Sequence, residues 1–366
     1  MPARRAGIAS AGNFWEGQFM RTNSWFRPKG FLRGDVVEVR SEAEIAATLD
    51  AAGRLDGLPF MPEMRASCGR RFRIHRRADK TCVEGFGLRR MYGTVFLENL
   101  RCDGAAHDGC ERGCLMFWKE AWLKPVAAAA SGSFRDTPHR HVPHNDTPSA
   151  VGAASALPAN LPVREGDRYV CQSTALAAAT SPLTGWNPVH LVREMINGEL
   201  SFVTFSRIVT RVVVNKLRLL VRLREIGGIA GRQKRNPKGD LALAPGEQVE
   251  VKSTREIAAT LDPTGRNQGL TFEPDMTDFT QRTFEVDRPI TRMIHEQSAK
   301  MVHLTSTVAL KGVTCQGLCS KNCPRNNPLF WREAWLKRVE TTGAQVPETT
   351  PSLACQTMKL AEEASV

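Results

Sequence analysis

The chain has 366 residues, of which 42% are hydrophobic and 24% are charged. This balance is typical of a soluble globular protein of two or three domains, and it excludes a chain that is disordered throughout. The net charge of +12 favours an anionic partner, such as nucleic acid, a phosphorylated ligand or an anionic membrane surface.

Neither a secretory signal nor a transmembrane segment is predicted. The N-terminal residues lack an apolar stretch before Phe14, and the most apolar later window, residues 202–224, is interrupted by several Arg and Lys residues. We therefore expect a cytoplasmic protein. In that reducing compartment, its ten cysteines are expected to be metal ligands or core thiols rather than disulfides.

The chain contains an internal duplication. Residues 34–64 match residues 246–276 at a constant offset of 212, with identical residues at 19 of the 31 positions. Both copies also end alike, in FWKEAWLKPV at 117–126 and FWREAWLKRV at 330–339. With two copies, the chain is a paired-domain protein rather than a solenoid, whose units need more neighbours to bury a core.

Each copy begins with signals for a strand and then a helix. The Val-rich run after Gly34 predicts a strand, and Ser41 with Glu44 three residues later predicts a capped helix ending near Asp50. Alternation over residues 71–75 and the run after Gly93 predict further strands. The fold class predicted is α+β, with tandem, mostly-β modules of possible SH3-like form.

The duplication and the composition shifts divide the chain into seven parts. They are an N-terminal extension (1–33), module one (34–126), a linker (127–165), a helical middle segment (166–226), a basic linker (227–245), module two (246–339) and a disordered tail (340–366). Within the middle segment, residues 202–224 predict a helix whose apolar stripe packs on other helices, with binding to an anionic membrane surface as the alternative.

Each module carries a cluster of cysteines on one loop. The candidates in module one are Cys102, His107, Cys110 and Cys114, with Cys82 and Cys68 as competing fourth ligands. Those in module two are Cys315, Cys319 and Cys323, which we match in order to the three cysteines of module one by a four-residue loop deletion. Soft ligands this close together predict a zinc site, with an iron–sulfur cluster as the alternative. Small buried thiols are the competing interpretation.

The two copies differ in charge. Residues 65–90 carry a net charge of +7, whereas the matching residues 277–302 carry none. Four basic residues on one strand and at its end are predicted to bind phosphate or carboxylate, because the planar guanidinium group of arginine offers paired donors that suit these anions. They are Arg71, Arg73, Arg76 and Lys80. A solvated strand face is the alternative.

Several blocks resemble a family of uncharacterised bacterial proteins. They are GDVVEVRSEAEIAATLD, GRLDGLPFMPEM, CGRRFRIHRRADKTC and LRCDGAAHDGCERGCLMFWKEAWLKPV. The resemblance covers most of residues 34–339 and implies tandem modules around a middle segment with a YVCQ motif, here Tyr169–Gln172. It implies no activity. Module two departs from the pattern because it lacks the Cys68-Gly69 pair and the Lys-Thr-Cys strand end.

Two functions are consistent with these features. The first is a metal-stabilised tandem-module protein that binds an anionic small molecule or a protein partner through module one. Nucleic acid fits less well, because few aromatic residues lie among the arginines. The alternative is a metalloenzyme of bacterial specialised metabolism with its reactive site in module one. The sequence contains no P-loop, Rossmann, G-x-S-x-G or HExxH motif.

Overall fold

The computed structural model describes residues 30–126, 157–158, 161–183, 189–317 and 321–339. Nearly all of the predicted N-terminal extension, most of the 127–165 linker, Cys319 and the predicted tail lie outside these residues.

Module one is built on a curled antiparallel sheet. Its strands are β1 (Val36–Val39), β2 (Arg54–Leu55), β3 (Leu58–Pro59), β4 (Arg71–Arg77), β5 (Lys80–Val83), β6 (Gly87–Arg90), β7 (Thr94–Arg101), β8 (Leu115–Lys119) and β9 (Leu123–Pro125). Five of them form the main sheet, in the order β8-β7-β4-β1-β9. The small pairs β2-β3 and β5-β6 project from the main sheet. Phe72 and Ile74 of β4 are buried, as the alternation predicts.

One helix, α1 (Glu42–Ala46), follows β1 and has the predicted capping box. The Ser41 side chain accepts a hydrogen bond from the Glu44 backbone, and the Glu44 carboxylate accepts one from the Ser41 backbone at 2.9 Å. The helix ends at Ala46, earlier than predicted, where the backbone changes to tighter bonds from the Thr48 amide to Ile45 and from the Leu49 amide to Ala46. Short 3₁₀ helices span Pro62–Ser67 and Glu120–Trp122.

The middle segment is only partly helical. It contains β10 (Arg164–Glu165), β11 (Arg168–Tyr169), α2 (Gln172–Ala175), β12 (Ser181–Pro182), α3 (Val189–Ile196) and α4 (Phe202–Leu220). Residues 161–183 belong physically to module one, since Cys171, Leu176 and Ala179 join its core and β12 pairs with β6. Helices α3 and α4 form a separate small cluster around Ile208, while Phe202 and Leu220 remain exposed.

The stretch 227–245, predicted as a linker, has no helix or strand but lies along module two. Leu243 is buried in that module's core. The Glu333 carboxylate accepts hydrogen bonds from the backbone amides of Leu241, Ala242 and Leu243. These contacts hold the stretch as an outer layer of module two.

Module two repeats the architecture of module one. Its elements are β13 (Gln248–Val251), α5 (Thr254–Ala258), β14 (Arg266–Asn267), β15 (Leu270–Thr271), 3₁₀ helices at Pro274–Phe279 and Glu333–Trp335, β16 (Thr283–Pro289), β17 (Arg292–Ile294), β18 (Met301–His303), β19 (Thr307–Thr314), β20 (Pro328–Arg332) and β21 (Leu336–Arg338). Its main sheet has the strand order β20-β19-β16-β13-β21. The structure thus confirms tandem, mostly-β modules of the α+β class.

The aromatic core is the same in both copies. Phe60 meets the edge of Trp122 at a ring-centroid distance of 5.4 Å, and Phe272 meets Trp335 at 5.3 Å. Each of these indoles donates a hydrogen bond of 3.0 Å to a threonine hydroxyl on the short helical turn. The repeated FW(K/R)EAWL block is therefore a core element, and its repetition reflects packing.

The modules contact each other through equivalent surfaces. The Cys82 amide donates to Cys323 Sγ at 3.1 Å, and the Ile294 amide donates to Cys110 Sγ at 3.3 Å. Each module thus places its cysteine loop against the other's projecting hairpin. This reciprocity is the isologous pattern of a two-fold dimer, here built within one chain.

The structure corrects the sequence-based matching of the cysteine loops. Gly104 and Gly317 both adopt a left-handed conformation, at φ of 72° and 68°, with the backbone of Cys110 or Cys323 directly above each. An added Cβ would lie 2.1 Å from the Cys110 carbonyl oxygen and 2.4 Å from that of Cys323. Cys110 is therefore the counterpart of Cys323, which lies 213 residues later in the chain.

The two ends of the loop follow the same offset. The amide of Cys102 donates to the Cys114 carbonyl, and that of Cys315 donates to the Asn327 carbonyl, both at 2.8 Å. Cys102 therefore matches Cys315, and Cys114 has an asparagine as its counterpart. The predicted one-to-one match of three cysteines and the four-residue deletion are wrong, because both loops have the same length.

Candidate metal centre

Three side chains from different elements of module one converge on a buried point. Glu63 lies in the first turn of the 3₁₀ helix after β3, Cys102 directly follows β7, and His107 lies on the tight loop beyond it. The His107 Nδ1 to Glu63 Oε1 distance is 2.6 Å, and the Cys102 Sγ to Glu63 Oε1 distance is 3.8 Å. All three ligand atoms lie within 4.8 Å of one another. Within the described parts of the chain, no other group of three or more His, Cys, Asp or Glu side chains meets this criterion.

The far side of the His107 ring is held by the middle segment. His107 Nε2 lies 2.9 Å from the carbonyl oxygen of Val170, in the YVCQ motif. Because a carbonyl only accepts, Nε2 carries the proton, and Nδ1 is left to face Glu63 and Cys102. A backbone acceptor on the outer nitrogen is the usual way in which proteins orient a metal-binding histidine.

The protonation states follow from burial and from the Glu63 charge. Burial lowers the pKa of His107, but the hydrogen bond and charge of Glu63 outweigh this, so the net pKa is raised. Burial raises the pKa of Glu63, but His107 outweighs it, so that pKa is lowered. Burial and the nearby Glu63 charge raise the pKa of the Cys102 thiol. Without a metal, these shifts favour an imidazolium, a carboxylate and a neutral thiol.

One atom of the site has no partner among the described residues. The Glu63 side chain is only 4% exposed, and its Oε2 atom is buried without a hydrogen bond. Burying such a carboxylate oxygen costs free energy unless a cation neutralises it or a water donates a hydrogen bond to it. The mixed oxygen, sulfur and nitrogen donors are those that zinc accepts.

A pocket opens beside this cluster. It has about 30 Å³ of space for water-sized molecules and is partly open to solvent, and Cys102 and His107 form part of its wall. Three further thiols line it, those of Cys110, Cys114 and Cys171. The remaining wall is mainly apolar and includes Met61, Leu115 and Phe117. A water or another molecule of similar size in this pocket would lie next to any bound metal.

Module two has a related but altered arrangement. Asp275 and Cys315, the counterparts of Glu63 and Cys102, lie with Oδ2 and Sγ 3.9 Å apart. Arg211 of α4 reaches this carboxylate at 3.4 Å from Asp275 Oδ1. An arginine thus supplies positive charge to the carboxylate that in module one faces a histidine.

The other predicted ligands have different surroundings. Cys110 and Cys114 line the pocket but lie outside the three-residue cluster. Cys82 lies beside Cys323, with their Sγ atoms 3.3 Å apart. Cys68 is half-buried, and burial raises the pKa of its thiol to about 11.

The four predicted anion-binding residues have separate partners within the chain. Arg71 contacts Glu38 on the exposed sheet face, and Arg73 donates to the Gly34 carbonyl. Arg76 contacts Glu199 and Asn322, while Lys80 contacts Glu194 at 2.6 Å. The structure therefore does not bring the four together. Arg76 and Lys80 bind carboxylates of the middle segment.

Sequence reasoning missed Glu63 and Val170. Glu63 lies in the duplicated GLPFMPEM block, where module two keeps a carboxylate at the matching Asp275. A buried acid retained in two otherwise diverged copies was the available signal. Val170 could not be found, because it contributes only a backbone carbonyl.

Comparisons with protein-family models, with curated proteins and with solved structures find no match for this chain. No helix among the described residues combines the length and apolar character needed to cross a membrane.

Proposed function

We propose that the protein binds one zinc ion through Glu63, Cys102 and His107 and that this ion fastens the middle segment to module one. The observation that carries the proposal is the convergence of three ligand atoms at a site with an orphaned buried carboxylate oxygen. Zinc suits the donor set better than an iron–sulfur cluster does, because Cys102 is the single thiol among the three ligands.

The stabilising role follows from connectivity. His107 contacts Val170 through its outer nitrogen, whereas Glu63 lies on the 3₁₀ helix after β3 and Cys102 directly follows β7 of the sheet. A metal that joins them would couple the YVCQ motif to the sheet, so its binding free energy would add to the stability of module one. Module two would bind more weakly, because Arg211 already supplies charge to its carboxylate.

Cobalt(II) and zinc titrations of metal-free protein test the proposal. We expect one tight equivalent with thiolate-to-cobalt absorption. Cys102→Ser should remove this absorption and weaken binding by more than about 100-fold, beyond the ~10–100-fold typical of losing a second-shell partner. Cys315→Ser is the matched control in module two and should retain the tight site. Equal binding by both variants, with folding verified by circular dichroism, would refute the assignment.

A metal-centred reaction is the second candidate, and the adjoining pocket favours it. Three protein ligands leave one tetrahedral position for water or substrate, as catalytic zinc sites do. Azide added to the cobalt-loaded protein should change its visible spectrum if that position is open. An unchanged spectrum would indicate a closed, purely stabilising site, with a protein side chain as fourth ligand.

A further inference from the structure

A second thiol site lies at the interface between the modules, away from the Glu63 cluster. Cys82 on β5 and Cys323 on the loop of module two are 241 residues apart in the chain, and their sulfur atoms are 3.3 Å apart. The Cys82 amide also donates to Cys323 Sγ at 3.1 Å. Both residues are thiols, and Cys323 is buried.

From this geometry we infer that Cys82 and Cys323 are a redox-active dithiol, which hydrogen peroxide or a similar small hydroperoxide converts to a disulfide between the two modules. The sulfur atoms are near enough to bond after a small side-chain movement. The Cys82 backbone is bonded to module two at both its amide, which donates to Cys323 Sγ, and its carbonyl, which accepts from Arg325, so the pair stays aligned.

The surrounding charges favour an anionic Cys323. The buried guanidinium of Arg325 donates to the Cys82 carbonyl at 3.0 Å and contacts Glu296 at 2.8 Å. Arg112 contacts the same Glu296, so two arginines share one carboxylate. A thiolate at Cys323 would balance the remaining positive charge in this buried region.

The pKa shifts agree with this balance. The hydrogen bond shared with the Cys82 thiol, followed by those from backbone amides and the charge of Arg325, lowers the pKa of Cys323 despite its burial. The hydrogen bond with Cys323 and burial raise the pKa of Cys82. The proton thus stays on Cys82, and Cys323 is the nucleophile.

The internal two-fold arrangement supplies a natural comparison. At the equivalent position Ile294 replaces Cys82, and its amide donates to Cys110 Sγ at 3.3 Å. Burial raises the pKa of Cys110, which has no thiol at that position to donate to it. The same backbone frame therefore exists twice, and only one copy holds two thiols.

The reaction balances in two steps. The Cys323 thiolate attacks one peroxide oxygen, the O–O bond breaks, a sulfenic acid forms, and the departing hydroxide takes a proton to become water. The Cys82 sulfur then attacks the sulfenic sulfur. The S–S bond forms, the S–O bond breaks, and the Cys82 proton leaves with the hydroxyl group as a second water. The two thiols are oxidised together, and one peroxide is reduced to two waters.

The test treats the full chain with hydrogen peroxide, alkylates the remaining thiols and maps linked peptides by mass spectrometry. We expect a Cys82–Cys323 peptide pair lighter by two hydrogen atoms, together with faster migration in non-reducing electrophoresis, both reversed by a reducing agent. Cys82→Ser should leave a sulfenic acid on Cys323 that dimedone captures. The matched control Cys110→Ser should form the disulfide as the wild type does.

Three outcomes would overturn the inference. The first is a wild-type protein in which Cys82 and Cys323 remain alkylatable while other cysteines pair. The second is equal oxidation of the Cys110 and Cys323 thiols. The third is zinc loading that protects Cys82 and Cys323, which would make them metal ligands. Because the wild-type mapping needs no variant, misfolding of a variant cannot decide the result. Failure of the zinc proposal at Cys102 would leave the Cys82–Cys323 inference unaffected, because the two tests use different residues.

Discussion

The side chain of Gln172 replaces a strand at the edge of module one. Its Oε1 accepts a hydrogen bond from the Phe117 amide and its Nε2 donates to the Phe117 carbonyl, both at 2.8 Å. Strand β8 is an edge strand, and Gln172 is 97% buried, so water does not satisfy these groups when the side chain is lost. The amide thus completes the hydrogen-bonding ladder of the sheet.

Substitution Gln172→Leu should therefore be strongly destabilising although it preserves the approximate side-chain volume. It leaves one buried amide and one buried carbonyl unpaired, and each such group costs about 1–3 kcal/mol. We expect the free energy of unfolding of module one to fall by about 2–6 kcal/mol. Urea denaturation followed by tryptophan fluorescence measures this loss, and hydrogen exchange of the β8 peptide locates it.

The matched control is Gln233→Leu. The Gln233 side chain also donates to a backbone carbonyl, that of Ala259, but it is exposed, so water replaces the lost bond. We expect a change of about 0–1 kcal/mol there. If the two substitutions destabilise the protein equally, water reaches the edge of β8, and the argument from burial is wrong.

Three further predictions concern the loop, the metal centre and module two. Gly104→Ala should destabilise the loop by about 1–3 kcal/mol, since its Cβ would strike the loop backbone, whereas Gly109→Ala should cost less in thermal melts, because at the same sign of φ its Cβ would meet only Arg292 Cδ at 4.0 Å. In metal-free protein, the raised pKa of His107 stabilises the fold below pH 6.5, and this stability should disappear as the pH rises through the pKa of His107 in the folded state. Thermal melts at different pH values measure the loss, which should be absent in His107→Gln. Arg211→Ala should destabilise module two by about 3 kcal/mol in urea denaturation because it removes a cation from a buried carboxylate, whereas exposed Arg207→Ala should be nearly neutral.

Local and repeated features could be predicted from the sequence. The duplication, the Ser41 capping box and the alternation in β4 each depend on neighbouring residues, and the structure confirms them. The repeated aromatic block lies in the core of both modules, because a core aromatic and its packing partners must be kept together in both copies.

The arrangement of the cysteines could not be predicted in the same way. Spacing along the loop suggested that Cys102, Cys110 and Cys114 act together, but the loop directs Cys110 towards module two. The partner of Cys82 is 241 residues away, and no periodicity or local motif encodes a contact of that range.

What the sequence determined by itself is therefore the tandem, mostly-β architecture, because hydrophobic spacing, capping residues and turn glycines act within a few residues of the chain. Only the tertiary structure decided which polar groups meet. Glu63 and His107 are joined by the folding of the sheet, and Cys82 meets Cys323 because two copies of one module pack face to face. Contacts of this kind depend on the relative placement of whole modules, which is set by the summed packing of their surfaces.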